Sequence, residues 1–421
     1  MSMLIIANAL YQGQMVDLCV DNGRVLSLTA SGKESNPAGA ERHDAAGRIL
    51  FPSFIDAHAH LRDPGFTWKE DVVSGLTAAA HGGFGVVMCM PNTDPVNDDP
   101  AVTRQILEKA GAARPHGPRI CPIGALSVGL RGEGLAPYGE LAEAGCVAVS
   151  NDGLPVADAE LFRRAMEYAA DFGLFVIDHC EDPCLSRKTV MNEGLVSGRI
   201  GVKGQPDVAE TIQVARDVLL AEYLGLPVHI AHVSCRRSLD VIAWAKDRGI
   251  KVTAETCPHY LLLDDSSLAS FNTNAKVNPP LRARSDAAAL RQAVKSGLID
   301  ILVTDHAPHA AHEKEHPLDQ APSGFTGLDT ALAVSWELVR QGALTEADFI
   351  RLWCAAPGRL FNVPVNDFKP GAPADFFLFD PHLQWQVRPE NLHSKSCNSP
   401  WLGQTLTGRV TGHWLGGVNV A

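Results

Sequence analysis

His58-Ala59-His60 closes the apolar run Ile49-Leu50-Phe51-Pro52-Ser53-Phe54-Ile55. Alternate residues of a strand share one face, so both imidazoles can reach a single ion. Neutral imidazole is the commonest protein ligand for zinc and its neighbours. With 16 His in 421 residues, chance supplies about 0.6 His-X-His pairs in such a chain. The pair gains weight because metal-type and polar residues recur downstream, each at the end of another apolar run. They are Asn92, Asp152, His179, His232, Glu255 with His259, and Asp305 with His309. Four His (58, 60, 179 and 232) and two Asp (152 and 305) among these positions form a set that can hold two divalent ions. A bridging carboxylate would bring such ions to roughly 3.5–4 Å apart, as in two-metal hydrolases. Imidazole and carboxylate donors without thiolate suit zinc and admit manganese or cobalt. Ions of this kind activate water at neutral pH and polarise a carbonyl oxygen. A carboxylate with one free oxygen can then serve as general base and acid.

Each residue also has a plainer explanation. Taken singly, His179 reads as a hydrogen-bonded core histidine. His232 competes with His229, which period two puts on the opposite strand face and so in a structural role. Asp152 could be turn chemistry in Ser150-Asn151-Asp152-Gly153, with Asn151 as the alternative ligand. Glu255 fits a carboxylate behind the ligands as well as one at a strand end. Asp305, ending the run 299–304, needs a partner wherever it is buried, which favours a site role. His312 and His316 lie in a polar loop and read as solvated. Arg62, Asn92 and His309 are donors able to clamp a carboxylate, Arg62 bidentately. Asn278, before Pro279-Pro280, fits either a ligand-covering loop or a turn cap.

The elements that must position these residues alternate along the chain. Strand-like runs fall at 49–55, 85–90, 120–125, 146–150, 174–177, 228–231, 251–255 and 299–304. Helix-like stretches at 69–81, 101–112, 157–170, 209–224, 238–247 and 285–295 lie between them. Eight strands alternating with helices predict an α/β fold, a closed (β/α)8 TIM-type barrel over 51–365, with active residues at the strand C-termini. The ends differ in style. Asp17–Leu28 brackets Asn22-Gly23, a strong hairpin signal, and strand-like runs recur at 374–379 and 407–411. Neither end has enough strands for a stable sheet alone. Residues 1–50 and 366–421 are therefore expected to join in one small composite β-domain, a β-sandwich beside the barrel. The polar loop 310–323 is long enough to act as a lid.

Hydrophobic residues make up 46% of the chain, against 36 Lys+Arg and 48 Asp+Glu, a net charge of -12. A large core follows, and neither nucleic acid nor an anionic membrane is expected as main partner. No apolar stretch of 18 residues occurs and Met1–Asn8 lacks a basic leader pattern, so a cytoplasmic location is expected. The ten cysteines are scattered, with no CxxC, and read as buried reduced thiols.

His58-Ala59-His60-Leu61-Arg62-Asp63-Pro64-Gly65 followed by Met90-Pro91-Asn92-Thr93 resembles the dihydroorotases, long bacterial class (class I), of the amidohydrolase superfamily. The likeness continues through Asn278-Pro279-Pro280-Leu281-Arg282, Asp305-His306-Ala307-Pro308-His309, Gly324–Ala331 and Ser394–Pro400, in order, over about residues 50–401. The resemblance implies reversible cyclisation of N-carbamoyl-L-aspartate to dihydroorotate in pyrimidine synthesis. It makes His58, His60, Asp152, His179, His232 and Asp305 the ligands of one or two zinc ions, with Asp305 also the proton shuttle. It gives Arg62, Asn92, Asn278 and His309 to the substrate, the first two and His309 to its carboxylate. A homodimer, and association with aspartate transcarbamoylase, belong to the same expectation. The chain departs from many relatives in having no lysine on the fourth strand, which points to an aspartate bridge. Asn151 stands where a second Asp is usual, and Tyr260 where His is more usual. The rival readings are an allantoinase or dihydropyrimidinase, and a non-catalytic subunit that scaffolds aspartate transcarbamoylase. A barrel with purely structural histidines is the bland alternative.

Overall fold

A computed structural model describes residues 3–32, 39–113 and 116–421. Its parallel strands run Phe54–Ala59, Phe84–Cys89, Arg119–Ala125, Ala148–Ser150, Phe175–Asp178, Val228–Ile230, Val252–Thr256 and Ile301–Leu302. They pair in sequence order, each parallel to the next. A parallel bridge between Ala59 and His306 joins the last strand's end to the first. Asp56 reinforces that seam by accepting the Thr304 amide at 2.9 Å and the Thr304 hydroxyl at 2.5 Å. Each of the eight expected strands is present, and the expected (β/α)8 barrel with it.

The six expected helices appear as Val72–His81, Pro100–Ala113, Ala159–Asp171, Val208–Leu224, Arg236–Asp247 and Arg284–Ser296. Tyr138–Ala144 and Ala331–Arg340 complete the outer ring. The first helix starts at Val72, not residue 69, because the Asp71 side chain caps it by accepting the Ser74 amide at 2.9 Å.

The run 49–55 proves to be two strands. Ile49–Pro52 belongs to the sheet built by the chain ends, and Phe54–Ala59 opens the barrel. The switch comes at Ser53, whose amide donates to Asp375 O, while the next amide, Phe54 N, donates to Gly83 O. The terminal sheet has eight strands among the described residues, five from the N-terminal end and three from the C-terminal. Asn22 (φ 49°) and Gly23 (φ 76°) make the expected tight hairpin turn, both in the left-handed region that a type I′ turn needs.

Alternation along these strands gives the sheet two buried faces. Leu50, Phe376 and Leu378 pack with Leu4, Ile6, Leu18, Val20 and Trp414 in the sheet's own core. Ile49, Phe51, Phe377 and Phe379 point the other way and join the barrel core with Phe54, Phe84 and Trp353. Phe54 and Phe377 meet edge to face with centroids 4.9 Å apart. Burying a phenyl ring contributes about 1.5–3 kcal/mol, so this seam holds the barrel's first strand firmly where His58 and His60 leave it.

Candidate active site

The C-terminal strand ends converge on Asp152, which follows the fourth strand. Its Oδ1 lies 3.1 Å from His232 Nε2, 3.3 Å from His58 Nε2 and 3.4 Å from His179 Nδ1, and its Oδ2 lies 3.4 Å from His60 Nε2. Two triads result, His58–His60–Asp152 and Asp152–His179–His232, each with its ligand atoms within 4.8 Å of one another. Asp305 Oδ1 closes on the first triad, 3.2 Å from His60 Nε2 and 3.8 Å from His58 Nε2. One carboxylate shared between two histidine pairs gives a donor set able to hold divalent metal. Burial opposes ionisation of Asp152, yet the surrounding histidines, His58 foremost, hold its carboxyl well below the usual range. Asn151 is no rival ligand: its Oδ1 accepts from the Ser127 amide and hydroxyl, and its Nδ2 donates to Ser127 Oγ, Leu130 O and Leu154 O.

The surrounding hydrogen bonds select the imidazole tautomers. A carboxylate only accepts, so the Glu255 Oε1 contact at 2.7 Å puts the His58 proton on Nδ1. Nε2 is then a lone pair aimed at the centre, and that buried atom has no hydrogen-bond partner among the described residues. His60 Nδ1, 2.8 Å from Asn92 Oδ1, likewise leaves Nε2 inward. His179 Nε2, 3.2 Å from Glu181 Oε2, leaves Nδ1 inward. Three imidazole lone pairs, one of them on an orphaned buried nitrogen, converge on two carboxylates and fit divalent metal.

Glu255 is the functional residue whose place the sequence left open. It stands behind the ligands, held also by His229 Nε2 at 3.0 Å and the His232 amide at 3.3 Å. His229 is therefore a support, as expected, although it serves the site and not merely the core. Burial would raise the Glu255 carboxyl, but His58 and His229 hold it down at about 2. Glu255→Gln is expected to weaken divalent metal binding about 10–100-fold, measured by competition with a chromophoric chelator. Unchanged affinity would contradict this role.

Above the centre lies a cavity of about 240 Å³, lined by His60, Arg62, Asn92, Asp152, His179, Asn278, Asp305 and His309 among others. Eight of the ten candidate site residues thus share one wall, with His58 and His232 beneath it. The size suits a single small ring. Arg62, His232 and Asp305 carry φ of 60°, 30° and 47°. Non-glycine residues there cost on the order of 1–3 kcal/mol each, strain typical of functional positions.

His309 lines the cavity, but both its ring nitrogens are engaged. Nε2 donates to Ser323 O at 2.8 Å, and Nδ1 lies 3.3 Å from Lys69 Nζ. Burial and the cations Arg62, Lys69 and Lys314 push it down to about 2, so the ring is neutral. Lys69, itself paired with Glu313 at 2.8 Å, is a second cation at this end that sequence reasoning passed over. His306, next to Asp305, donates from Nε2 to Glu70 at 3.1 Å while its Nδ1 accepts the Gly327 amide at 3.1 Å. Glu70 is held in turn by Ser394, Ser74 and the Lys395 amide. His259 lies beside Asp305 and Cys257, and burial drops it to about 3.

Residues 310–323, expected as a lid, reach the cavity at Ser323 and are pinned from below. Lys314 donates to Pro322 O and Gly324 O, and Lys276 to Leu318 O and Ala321 O. His312 and His316 are exposed, as expected.

Comparison with known proteins gives a consistent answer. A family model described as Dihydro-orotase-like matches residues 47–238. The chain is 47% identical to a dihydroorotase of Geobacter metallireducens, covering 96% of this chain and 94% of that protein. It is 46% identical, over the same shares, to a dihydroorotase of Trichlorobacter lovleyi. Among solved structures, the L-hydantoinase (dihydropyrimidinase) of Arthrobacter aurescens superposes with TM-score 0.88 at 22% identity, covering 100% of this chain and 96% of that one. A dihydropyrimidinase of Brevibacillus agri gives 0.80 at 20% identity, over 99% and 94%. These two likenesses speak for the fold.

Proposed function

The chain belongs to the dihydroorotase family, and on that premise we propose that it interconverts N-carbamoyl-L-aspartate and L-dihydroorotate, with residues 51–365 as the catalytic barrel. One observation carries the reading. The double histidine–carboxylate cluster shares its cavity with Arg62 and Asn92, which can grip a substrate carboxylate while the ring lies over the cluster.

Among the described residues Arg62 spends only Nε, donating to Pro308 O at 3.3 Å. Its terminal nitrogens remain for a bidentate grip on the carboxylate. Asn92 commits Oδ1 to His60, so Nδ2 is a second donor to the same anion. Lys69, beside the neutral His309 ring, adds positive potential at this end.

His58, His60, Asp152, His179, His232 and Asp305 would hold two zinc ions; the donor set, free of thiolate, supports zinc. Bound there, divalent ions supply Lewis-acid activation of water and of the amide carbonyl. Asp305 has Oδ1 turned to His58 and His60, which leaves Oδ2 for the proton. In ring opening Asp305 takes the proton of the attacking water and returns it to the leaving ring nitrogen; in cyclisation the order reverses. Ten free cysteines, most of them buried, support a reducing cytoplasmic location.

The test is the cyclising reaction itself. Chelator-treated protein titrated with zinc is expected to form dihydroorotate from N-carbamoyl-L-aspartate, activity levelling off near two ions per chain. A plateau at one ion would remove the two-ion reading, and no product at any loading would remove the function.

A further inference from the structure

The substrate-facing wall contains two asparagines, each tied from behind to a metal-type histidine, and the ties are of opposite sense. Asn92 accepts through Oδ1 from His60 Nδ1, 2.8 Å away, and offers Nδ2 forward. Asn278 is held by Glu181. Its Nδ2 lies 2.6 Å from Glu181 Oε2, and the same oxygen lies 3.2 Å from His179 Nε2. An ionised carboxylate accepts and never donates, so the atom facing it must be the amide nitrogen. Asn278 Oδ1 is left for the cavity, where this side chain forms part of the wall.

Resting on the substrate reading above, we propose that Glu181 is a positioning residue that fixes Asn278 as the acceptor for a ureide N–H of the substrate. The cavity then reads its ligand from both ends. Arg62 and Asn92 donate to the carboxylate, and Asn278 accepts from the ring N–H of dihydroorotate or the ureido N–H of carbamoyl aspartate. Through His179, the same carboxylate couples this recognition to the metal cluster.

Three further observations support the assignment. Glu181 does not line the substrate cavity; it faces a neighbouring polar chamber of about 130 Å³ with Ser186, Thr189 and Gln205, and Asn278 lines both spaces, so Glu181 acts through Asn278 and not on the ligand. Its main chain is anchored, the amide donating to Gln213 Oε1 at 2.7 Å while Gln213 Nε2 holds Val156 O at 3.1 Å. The other side of the clamp is anchored too, because the buried Tyr260 hydroxyl donates to Pro279 O at 2.6 Å. That bond gives Tyr260, the departure from the usual His, a place in the same assembly.

A polarity swap tests the proposal on the zinc-loaded protein. Asn278→Asp sets two carboxylates face to face and is expected to raise KM for dihydroorotate at least 100-fold. It should weaken calorimetric binding of orotate, which keeps the carboxylate and both ring N–H groups, by a similar factor. Adding Glu181→Gln restores one donor facing one carboxylate at unchanged total charge, with an acceptor still aimed into the cavity. The double variant is expected to recover to within about tenfold of wild type in both readouts. Glu181→Gln alone, which lets the Asn278 amide turn over, should raise KM three- to tenfold with a smaller change in kcat. Zinc content and melting temperature, recorded for every variant, separate this role from a purely structural one. A double variant as poor as Asn278→Asp, or a Glu181→Gln enzyme with unchanged KM, would overturn the role. Wild type that turns over dihydroorotate in the same series keeps that failure distinct from failure of the functional reading.

Discussion

Asp305→Asn is expected to lower kcat by roughly 10³–10⁴-fold, the upper part of the range for losing a positioned general acid–base group, with the barrel still folded. The substitution is isosteric, and the strand end does not hang on this side chain. Thr304 is clamped by Asp56 from one side, and His306 by Glu70 from the other. Far-ultraviolet circular dichroism and melting temperature should therefore stay near wild type while turnover collapses. Residual turnover above about a tenth of wild type, in protein shown to carry its metal, would remove Asp305 from proton transfer.

Arg62→Met should have the second largest effect, and a selective one. Truncating one partner of a buried charge-assisted pair costs about 2–5 kcal/mol, or roughly 30- to 5000-fold in kcat/KM for dihydroorotate. Any turnover of dihydrouracil, which has no carboxylate, should change less than tenfold. Parallel losses on both substrates would mean that Arg62 supports the loop and does not recognise the anion. The contrast is informative because Arg62 also donates to Pro308 O, so a structural role has a concrete form.

The ligand-bearing strand ends were legible because strand periodicity and residue chemistry coincide there. His58-Ala59-His60 follows an apolar run, and Asp152, His179, His232 and Asp305 each follow another. Asn22-Gly23 was legible for a similar reason, since few residue pairs tolerate two consecutive left-handed conformations. What stayed open depends on contacts distant in sequence. Glu255 lies 197 residues from the His58 that it orients, and Glu181 lies 97 from Asn278. Nothing local distinguishes either from a carboxylate at a solvated strand end.

The division at Ser53 was hidden because both flanking strands are buried, so 49–55 reads as one apolar run. His309 was a sound candidate donor by type, yet its nitrogens turn to Ser323 O and Lys69. The anchoring of the loop 310–323 was hidden because a buried lysine has the same letter as an exposed one. Burial and the neighbouring Lys276 push Lys314 down to about 7, and both ammonium groups spend their protons on loop carbonyls.

Substrate selectivity tests the metal-type cluster and the carboxylate grip together. One purified sample, with its metal content measured, should be assayed with dihydroorotate, dihydrouracil and allantoin side by side. The expected kcat/KM for dihydroorotate is at least 10³-fold above either uncharged ureide, in protein carrying about two zinc ions per chain. Equal or better turnover of dihydrouracil or allantoin, or full activity in metal-free protein, would contradict it.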